Sequence, residues 1–438
     1  MFVRSIAAAV AFLVVLGADS SANAQSATTL HGVGSASVAY TDNMLGSPTH
    51  PAQGQDGPIG VWFIDLSPGI RIIHESRSAL YTLTYAHPFT FYLADPTDIR
   101  QSDVGLFTGV FALSARDELT FALSALRSDT RAAILRAQPN QTVGVHPQAT
   151  GQNLMLQADL AEEWSHDFTG QWRMIQRSGF GTIVPLLVPE PQPYRYQVLL
   201  GAGPEYRTAR NAYGVDFDAT YFYITEVNEG AYHIDSSAQV IASGAFRWRH
   251  DLSETWSTEL RLGLAGAVRA DPVRGGVWGP IGLASVQWAD EGYDAQLSFQ
   301  RTLGPDLVTA TTMMADQVLL TAGVPLSREY QIVLRAGAGY AHNRGIQVEQ
   351  AGFLAVLPFA TPSSTKNARL VTTYDSYSLD VSLGWYPEEL PYVELRYQHL
   401  EQIGVANQAV PASTYYRNLI MLTAGIVWPS RLPPQRPD

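Results

Sequence analysis

From residue 31 to residue 428 the chain alternates apolar and polar side chains with a period of two. Tyr213, Val215, Phe217, Ala219, Tyr221 and Tyr223 interleave with Gly214, Asp216, Asp218 and Thr220, and Tyr377, Leu379, Val381, Leu383 and Trp385 with Ser376, Ser378, Asp380 and Ser382. Successive side chains of a strand point to opposite faces, so each run has one apolar and one polar face. No stretch carries a convincing helical period. The pattern predicts strands over 31–41, 61–73, 79–93, 103–114, 118–127, 151–165, 171–183, 195–208, 212–225, 237–249, 255–269, 276–288, 292–303, 316–325, 329–341, 374–386, 391–401 and 415–428. Many of these about 18 runs exceed the 5–6 residues usual in soluble sheets, and they are long enough for tilted strands to cross a bilayer.

Composition narrows the field. Of 438 residues, 46% are hydrophobic and only 16% charged, with a net charge of -12. A soluble domain carries about 25% charge. The acidic balance argues against a nucleic-acid partner. Zero cysteines exclude disulfide scaffolds and cysteine chemistry, and 9 Trp, 21 Tyr and 16 Phe exclude disorder. At the N-terminus, Arg4, an apolar run from Ile6 to Gly17 and then Ala22-Asn23-Ala24 read as a secretory signal over residues 1–24, cut after Ala24. Residues 25–428 then form a single domain, and 429–438 a Pro-rich tail. No later run reaches 18 apolar residues, so no transmembrane helix is expected.

The connections between the expected strands alternate in length. Short ones fall near His74–Arg77, Ala115–Asp117, Ser165–Gly170, Thr208–Asn211, His250–Glu254, Ala289–Glu291, Leu326–Arg328 and Pro387–Leu390. Long ones fall near Asp42–Gly60, Ser128–Thr150, Val184–Tyr194, Glu226–Ser236, Leu303–Ala315 and Ala341–Thr373. Short turns on one side and long loops on the other describe an all-β, antiparallel up-and-down transmembrane barrel of about 18 strands, with periplasmic turns and extracellular loops. Trp164, Trp172, Tyr206, Tyr213, Trp248, Trp256, Trp288, Tyr293, Trp385 and Trp428 cluster beside the short turns, nearly all in phase with the apolar face. Such amphipathic rings form an interfacial girdle. Pro68, Pro204 and Pro280 interrupt expected strands beside glycines; they imply bulges, or a misplaced strand and a count of 16.

The chain resembles Gram-negative outer-membrane β-barrels, a porin-like class, over essentially all of residues 25–428. Its last strand, Asn418–Trp428, is similar to the C-terminal insertion signal of that class, with Thr423, Gly425 and Trp428 at the polar, glycine and aromatic positions. The tail after Trp428 departs from that pattern. The resemblance implies an outer-membrane location, contact with outer-membrane lipid and lipopolysaccharide, handling by the barrel-assembly machinery, and possible homo-oligomers. Strand count is similar to substrate-specific 18-stranded channels, a fold-level analogy only.

If the apolar faces meet lipid, the pore-lining candidates are Asp159, Glu163, Arg173, Arg177, Arg195, Arg207, Asp216, Asp218, Arg247, Arg249, Glu259 and Arg261. These acidic and basic columns stand side by side on adjacent strands. They could set a transverse field that selects solutes by charge, or pair into a polar lining. In the longest loop, Phe353, Leu354, Val356, Leu357 and Phe359 form an apolar run expected to fold into the mouth as a constriction. The ten histidines show no metal-ligand spacing, and no cofactor motif occurs. His74-Glu75-Ser76 matches the His-x-Ser of outer-membrane phospholipases by letters, but no residue is placed to orient its imidazole. The sequence therefore reads as a non-enzymatic channel passing small polar or charged solutes. The alternatives are a non-conducting accessory barrel for export or surface anchoring, and a lipid-active hydrolase.

Overall fold

A computed structural model describes residues 26–44, 57–129, 154–187, 193–229, 232–234, 236–269, 277–306, 311–327, 329, 331–346, 373–387, 391–404 and 414–428. The expected signal peptide, the tail after Trp428 and the Phe353–Phe359 run lie outside these residues. In chain order the strands are β1 (Ala27–Thr41), β2 (Val61–Glu75), β3 (Ala79–Ala86), β4 (Phe89–Tyr92), β5 (Asp95–Gln101), β6 (Asp103–Ala112), β7 (Asp117–Asp129), β8 (Leu154–Asp167), β9 (Trp172–Leu187), β10 (Arg195–Arg207) and β11 (Asn211–Ile224). There follow β12 (Val227–Glu229), β13 (Tyr232–Ile234), β14 (Ser237–Asp251), β15 (Trp256–Arg269), β16 (Val277–Asp290), β17 (Tyr293–Asp306), β18 (Thr311–Ser327), β19 (Ile332–Ile346), β20 (Thr373–Trp385), β21 (Tyr392–Gly404) and β22 (Thr414–Trp428).

β12 and β13 form a small separate hairpin. The other 20 strands make one antiparallel sheet. β3 with β4, and β5 with β6, are each one stave broken in the middle, because β2 pairs with both β3 and β4, β3 with β6 and β4 with β5. The sheet therefore has 18 staves, as the period-two pattern predicts. It closes on itself where Gly32–Thr41 of β1 pair with Leu419–Trp428 of β22. Closure leaves no sheet edge unpaired in hydrocarbon.

The two faces separate along most staves, although Leu80, Leu106 and Val110 of β3 and β6 are exposed on the inner phase. Along β11, Val215, Phe217 and Tyr221 are exposed while Gly214, Asp216 and Phe222 are buried. Leu264 (63%) and Trp428 (71%) show how open the outer face is. By register, all ten girdle aromatics fall on that outer phase. Trp172 packs on Tyr206 at 5.1 Å, Trp256 on Trp288 at 6.3 Å and Trp288 on Tyr293 at 6.1 Å. Tyr206 lies across from Tyr213, and Tyr213 from Trp248, so the aromatics continue from stave to stave beside the short turns.

The structure corrects two expectations about irregular positions. The alternation of loop lengths has exceptions on the long side: β4 and β5 are joined by residues 93–94 alone, and only residues 307–310 separate β17 from β18. There the expected loop Leu303–Ala315 is mostly paired strand. The ladders also keep register through Pro68, Pro204 and Pro280, with no bulge at any of them. Each proline lacks an N–H and sits where a ladder is interrupted. Pro68 faces the break between β3 and β4. Pro204 lies where the β10–β11 ladder skips two residues, and Pro280 where β17 has already left β16.

Gly203, beside Pro204, marks a close approach, because a Cβ there would lie 2.0 Å from the Val215 carbonyl oxygen. Gly203→Val should destabilise the barrel by about 1–3 kcal/mol. Gly170→Ala, in open space within a turn, should leave the urea midpoint of refolded protein unchanged. In the turn before β7, Ser114 donates a 2.5 Å hydrogen bond to Asp117, and His166 lies 2.7 Å from it. These contacts, Ser114 first, hold the Asp117 carboxyl below the usual carboxylate range. The depressed value means the contact stabilises fully above the ordinary pKa near 4 and is lost as pH falls through the folded value. Ser114→Ala should shift the Asp117 carboxyl titration upward in a carbon-detected NMR experiment.

Candidate functional site

The inner face of β8 to β15 gathers charge within seven positions of the short turns. The strand register forces this, since Glu163 lies opposite Arg177, Arg173 opposite Glu205, Gly214 opposite Arg247 and Arg247 opposite Arg261. Asp216 is almost fully buried and sits among three guanidiniums: Arg177 at 3.2 Å, Arg247 at 3.5 Å and Arg261 at 3.7 Å. Arg261 also donates to Asp218 at 2.6 Å, and Arg177 to Glu163 at 3.0 Å. Arg247 reaches Glu205 at 2.9 Å, and Arg207 pairs with the same carboxylate. Four carboxylates (Glu163, Glu205, Asp216, Asp218) thus meet four guanidiniums (Arg177, Arg207, Arg247, Arg261), and their formal charges cancel. Gly201 and Gly214 leave room for these side chains, since a Cβ at either would meet Asp218 or Arg247.

The remaining expected residues stand around this network. Arg173 pairs with Asp167 at 2.6 Å. Asp159 accepts from Gln157 at 2.9 Å. Arg195 is buried towards the opposite end of the barrel wall. Arg249 is largely exposed, 3.6 Å from Asp251 and in register with Glu259. Glu205 was missed, although it shares the phase of Arg195 and Arg207 on its own strand. Across the barrel, the Arg396 guanidinium grips Asp380 at 2.6 Å, and Gln398 donates to the same carboxylate at 2.6 Å. Arg396 and Asp380 also share the inner phase, but isolated charges on separate strands gave no signal in the sequence.

Above the charged zone the inner face carries apolar clusters among buried polar side chains such as Thr90, Gln239, Asn343 and Arg417. Ala39, Val61, Phe63, Tyr92 and Leu419 form one buried cluster, and Phe222 and Ile224 another. A third cluster comes from a feature the sequence did not reveal. β17 leaves β16 after Arg301 while staying paired with β18 up to Asp306. The freed hairpin leans over the inside of β14 and β15. Leu303 packs on Ile241, Ala265 and Ala267, and Thr312 donates a buried 2.6 Å hydrogen bond to Gln239. Met313 meets the Tyr374 hydroxyl at 3.7 Å. His74 and Ser76 do not form a pair: His74 bonds Thr28 at 2.8 Å and stacks on Tyr81, while Ser76 bonds the backbone of Ala79.

No family model and no curated protein matches the chain. Solved structures that it is similar to include Pseudomonas aeruginosa OccK2 (OpdF) in complex with glucuronate, at 10% identity and a TM-score of 0.45, over 92% of this chain and 98% of that one. The P. aeruginosa outer membrane protein opdK shows 10% identity and a TM-score of 0.44, over 91% and 99% of the two chains. P. aeruginosa OccK3 (OpdO) shows 12% and 0.42, over 91% and 96%. Likenesses this distant carry no argument about this chain. The closed sheet rests on its own hydrogen-bond register.

Asp216 should be the most sensitive position of the network. Asp216→Ala strands three arginines around a lost carboxylate and should cost about 3–5 kcal/mol in urea unfolding, the usual penalty for breaking a buried ion pair. Arg249→Ala, whose pair is exposed, should cost under about 1 kcal/mol.

Proposed function

We propose that this barrel is an outer-membrane channel for passive diffusion of small polar or charged solutes. The observation that carries the reading is an 18-stave closed wall with apolar side chains outside and a paired-charge lining inside. Eighteen strands spaced about 4.8 Å apart and tilted about 40° enclose a ring roughly 35 Å across between backbones. Side chains alone do not fill such a width. The pairing of Glu163, Glu205, Asp216 and Asp218 with four arginines weakens any long-range field, since each dipole decays over a few ångströms. Selection by this lining would therefore act on solutes that reach hydrogen-bonding distance of it.

A second reading, a non-conducting accessory barrel, is favoured by one observation: the β17–β18 hairpin folds inward over Ile241 and Gln239. Conductance in planar bilayers separates the two. The channel reading expects discrete steps from purified protein, and a variant with residues 302–315 replaced by a short glycine-serine turn should show larger ones. Silent bilayers from correctly folded protein would favour the accessory barrel. Equal steps in the two proteins would remove the hairpin as a constriction.

A further inference from the structure

The outer face carries a repeated side-chain arrangement that the channel reading does not use. Five times, an aromatic residue and a histidine two positions later share an Asp or Asn on the neighbouring strand. Tyr85 and His87 both lie 2.7 Å from Asp103. Trp248 and His250 reach Asn211 at 3.1 and 2.8 Å. Tyr340 and His342 reach Asp375 at 3.0 and 2.7 Å, and Tyr397 and His399 reach Asn418 at 2.7 and 2.8 Å. His166 lies 2.7 Å from Asp117, which the Trp164 indole also reaches.

The proton positions follow from chemistry. A carboxylate only accepts, and the indole N–H of Trp248 and the Asp42 carboxylate beside Asn418 fix which amide atom is oxygen. Every Nδ1 in the set therefore carries hydrogen and donates. Nε2 is left to face away from the clamp.

The clamps form two rims. Those of His166 and His250 lie beside the short turns, whereas those of His87, His342 and His399 lie towards the loops. On β20, Asp375 is ten residues from Trp385, and on β22, Asn418 is ten from Trp428. Ten residues at about 3.3 Å, tilted about 40°, rise roughly 25 Å, the height of the apolar band of a membrane barrel. Both rims thus sit at the polar boundary, where lipid phosphates lie.

The rims differ in charge. Among described strand residues, the arginines on the outer phase are Arg127, Arg301 and Arg344, all at the loop-side rim. Asp103 holds His87 on one carboxylate oxygen and Arg127, at 2.8 Å, on the other. Arg127 spends one N–H there and keeps the rest of its fork. His87 and Arg127 flank a single carboxylate on the outer phase of the wall. Among the residues whose side chains are described, the neighbouring strands add Gln101 from β5, apolar side chains from β2, β4 and β8, and the Tyr85 hydroxyl. Among the same described residues, Asp103 and Arg127 are the charged groups beside His87.

We propose that His87 and Arg127, held by Asp103, bind a phosphate of the glycolipid in the outer leaflet, lipopolysaccharide. The charged fork and the imidazole Nε2–H match two phosphate oxygens. At the opposite rim Arg116 and Arg210 stand in the turns beside Asp117 and Asn211, but no arginine shares the clamped side chain with the histidine as Arg127 does. Arg301, Asp316 and His342 repeat the chemistry on another part of the wall, with Arg301 and Asp316 paired and Asp316 in register with His342. The proposal rests on the outer-membrane reading but not on conduction.

The test titrates the full-length barrel, purified free of lipid in detergent, with diphosphorylated lipid A and counts bound lipid by native mass spectrometry. Phosphate-free lipid A, phosphatidylglycerol and inorganic phosphate serve as comparison ligands. Binding of diphosphorylated lipid A should weaken about tenfold or more in Arg127→Gln with His87→Gln, the loss expected for charge-assisted hydrogen bonds. Arg127→Lys should recover part of it, and His166→Gln, at the other rim, should match wild type, with melting curves confirming that each variant is folded. Equal binding of phosphate-free lipid, or of phosphatidylglycerol, would overturn the site, as would an unaffected double variant. A barrel that enters no bilayer at all would instead overturn the membrane reading beneath it.

Discussion

Inside hydrocarbon a backbone N–H or C=O has no water to turn to, and each one left unpaired costs several kcal/mol. The pairing of Gly32–Thr41 with Leu419–Trp428 meets that demand by joining the first strand to the last. Everything else in the molecule is arranged around the ring so made. The period-two alternation assigns one phase of each strand to lipid and the other to the enclosed space. The short turns then set the height of the aromatic girdle, and the same register brings Glu163, Arg177, Glu205, Asp216 and Arg247 together on the inside.

The enclosed space follows a different rule from a soluble core. Its buried residues include Asp216, Glu205, Gln239 and Arg417 as well as Phe63 and Phe222. Burying such charges costs far more than their mutual attraction returns unless each finds partners. Asp216 meets this with three guanidiniums at once, and Glu205 with two. The result is a stiff, neutral lining rather than a strong field. The prolines obey the same accounting: Pro68, Pro204 and Pro280 each sit where a ladder has already lost a partner.

Much of this was legible in the residues. Alternation is a local property, so the 18 staves and the outer phase of the ten aromatics beside the short turns could be read from the chain without knowing the fold. The phase of Asp216 and Arg177 was equally readable, because facing depends only on counting by twos. Which strands a carboxylate reaches depends on register. Tyr85, His87, Asp103 and Arg127 lie on three staves and come together only once those staves are aligned. Glu205 was readable in phase with Arg207 and was overlooked. The inward lean of Leu303 and Thr312 was not readable, because it depends on β17 leaving β16 above Arg301. That step leaves no mark in a sequence of alternating residues, and loop length alone counted those positions as unpaired.

The absence of native cysteine opens the most direct test of the two-faced wall. Single cysteines placed in turn from Val215 to Tyr223 on β11 can be labelled with a fluorophore in lipid vesicles, then quenched by a lipid-borne or a water-soluble agent. The odd positions Val215, Phe217 and Tyr221 should respond to the lipid quencher, and the even positions Asp216, Asp218 and Thr220 to the aqueous one. Quenching without that alternation, or with the two phases exchanged, would contradict a barrel that turns its apolar faces to lipid.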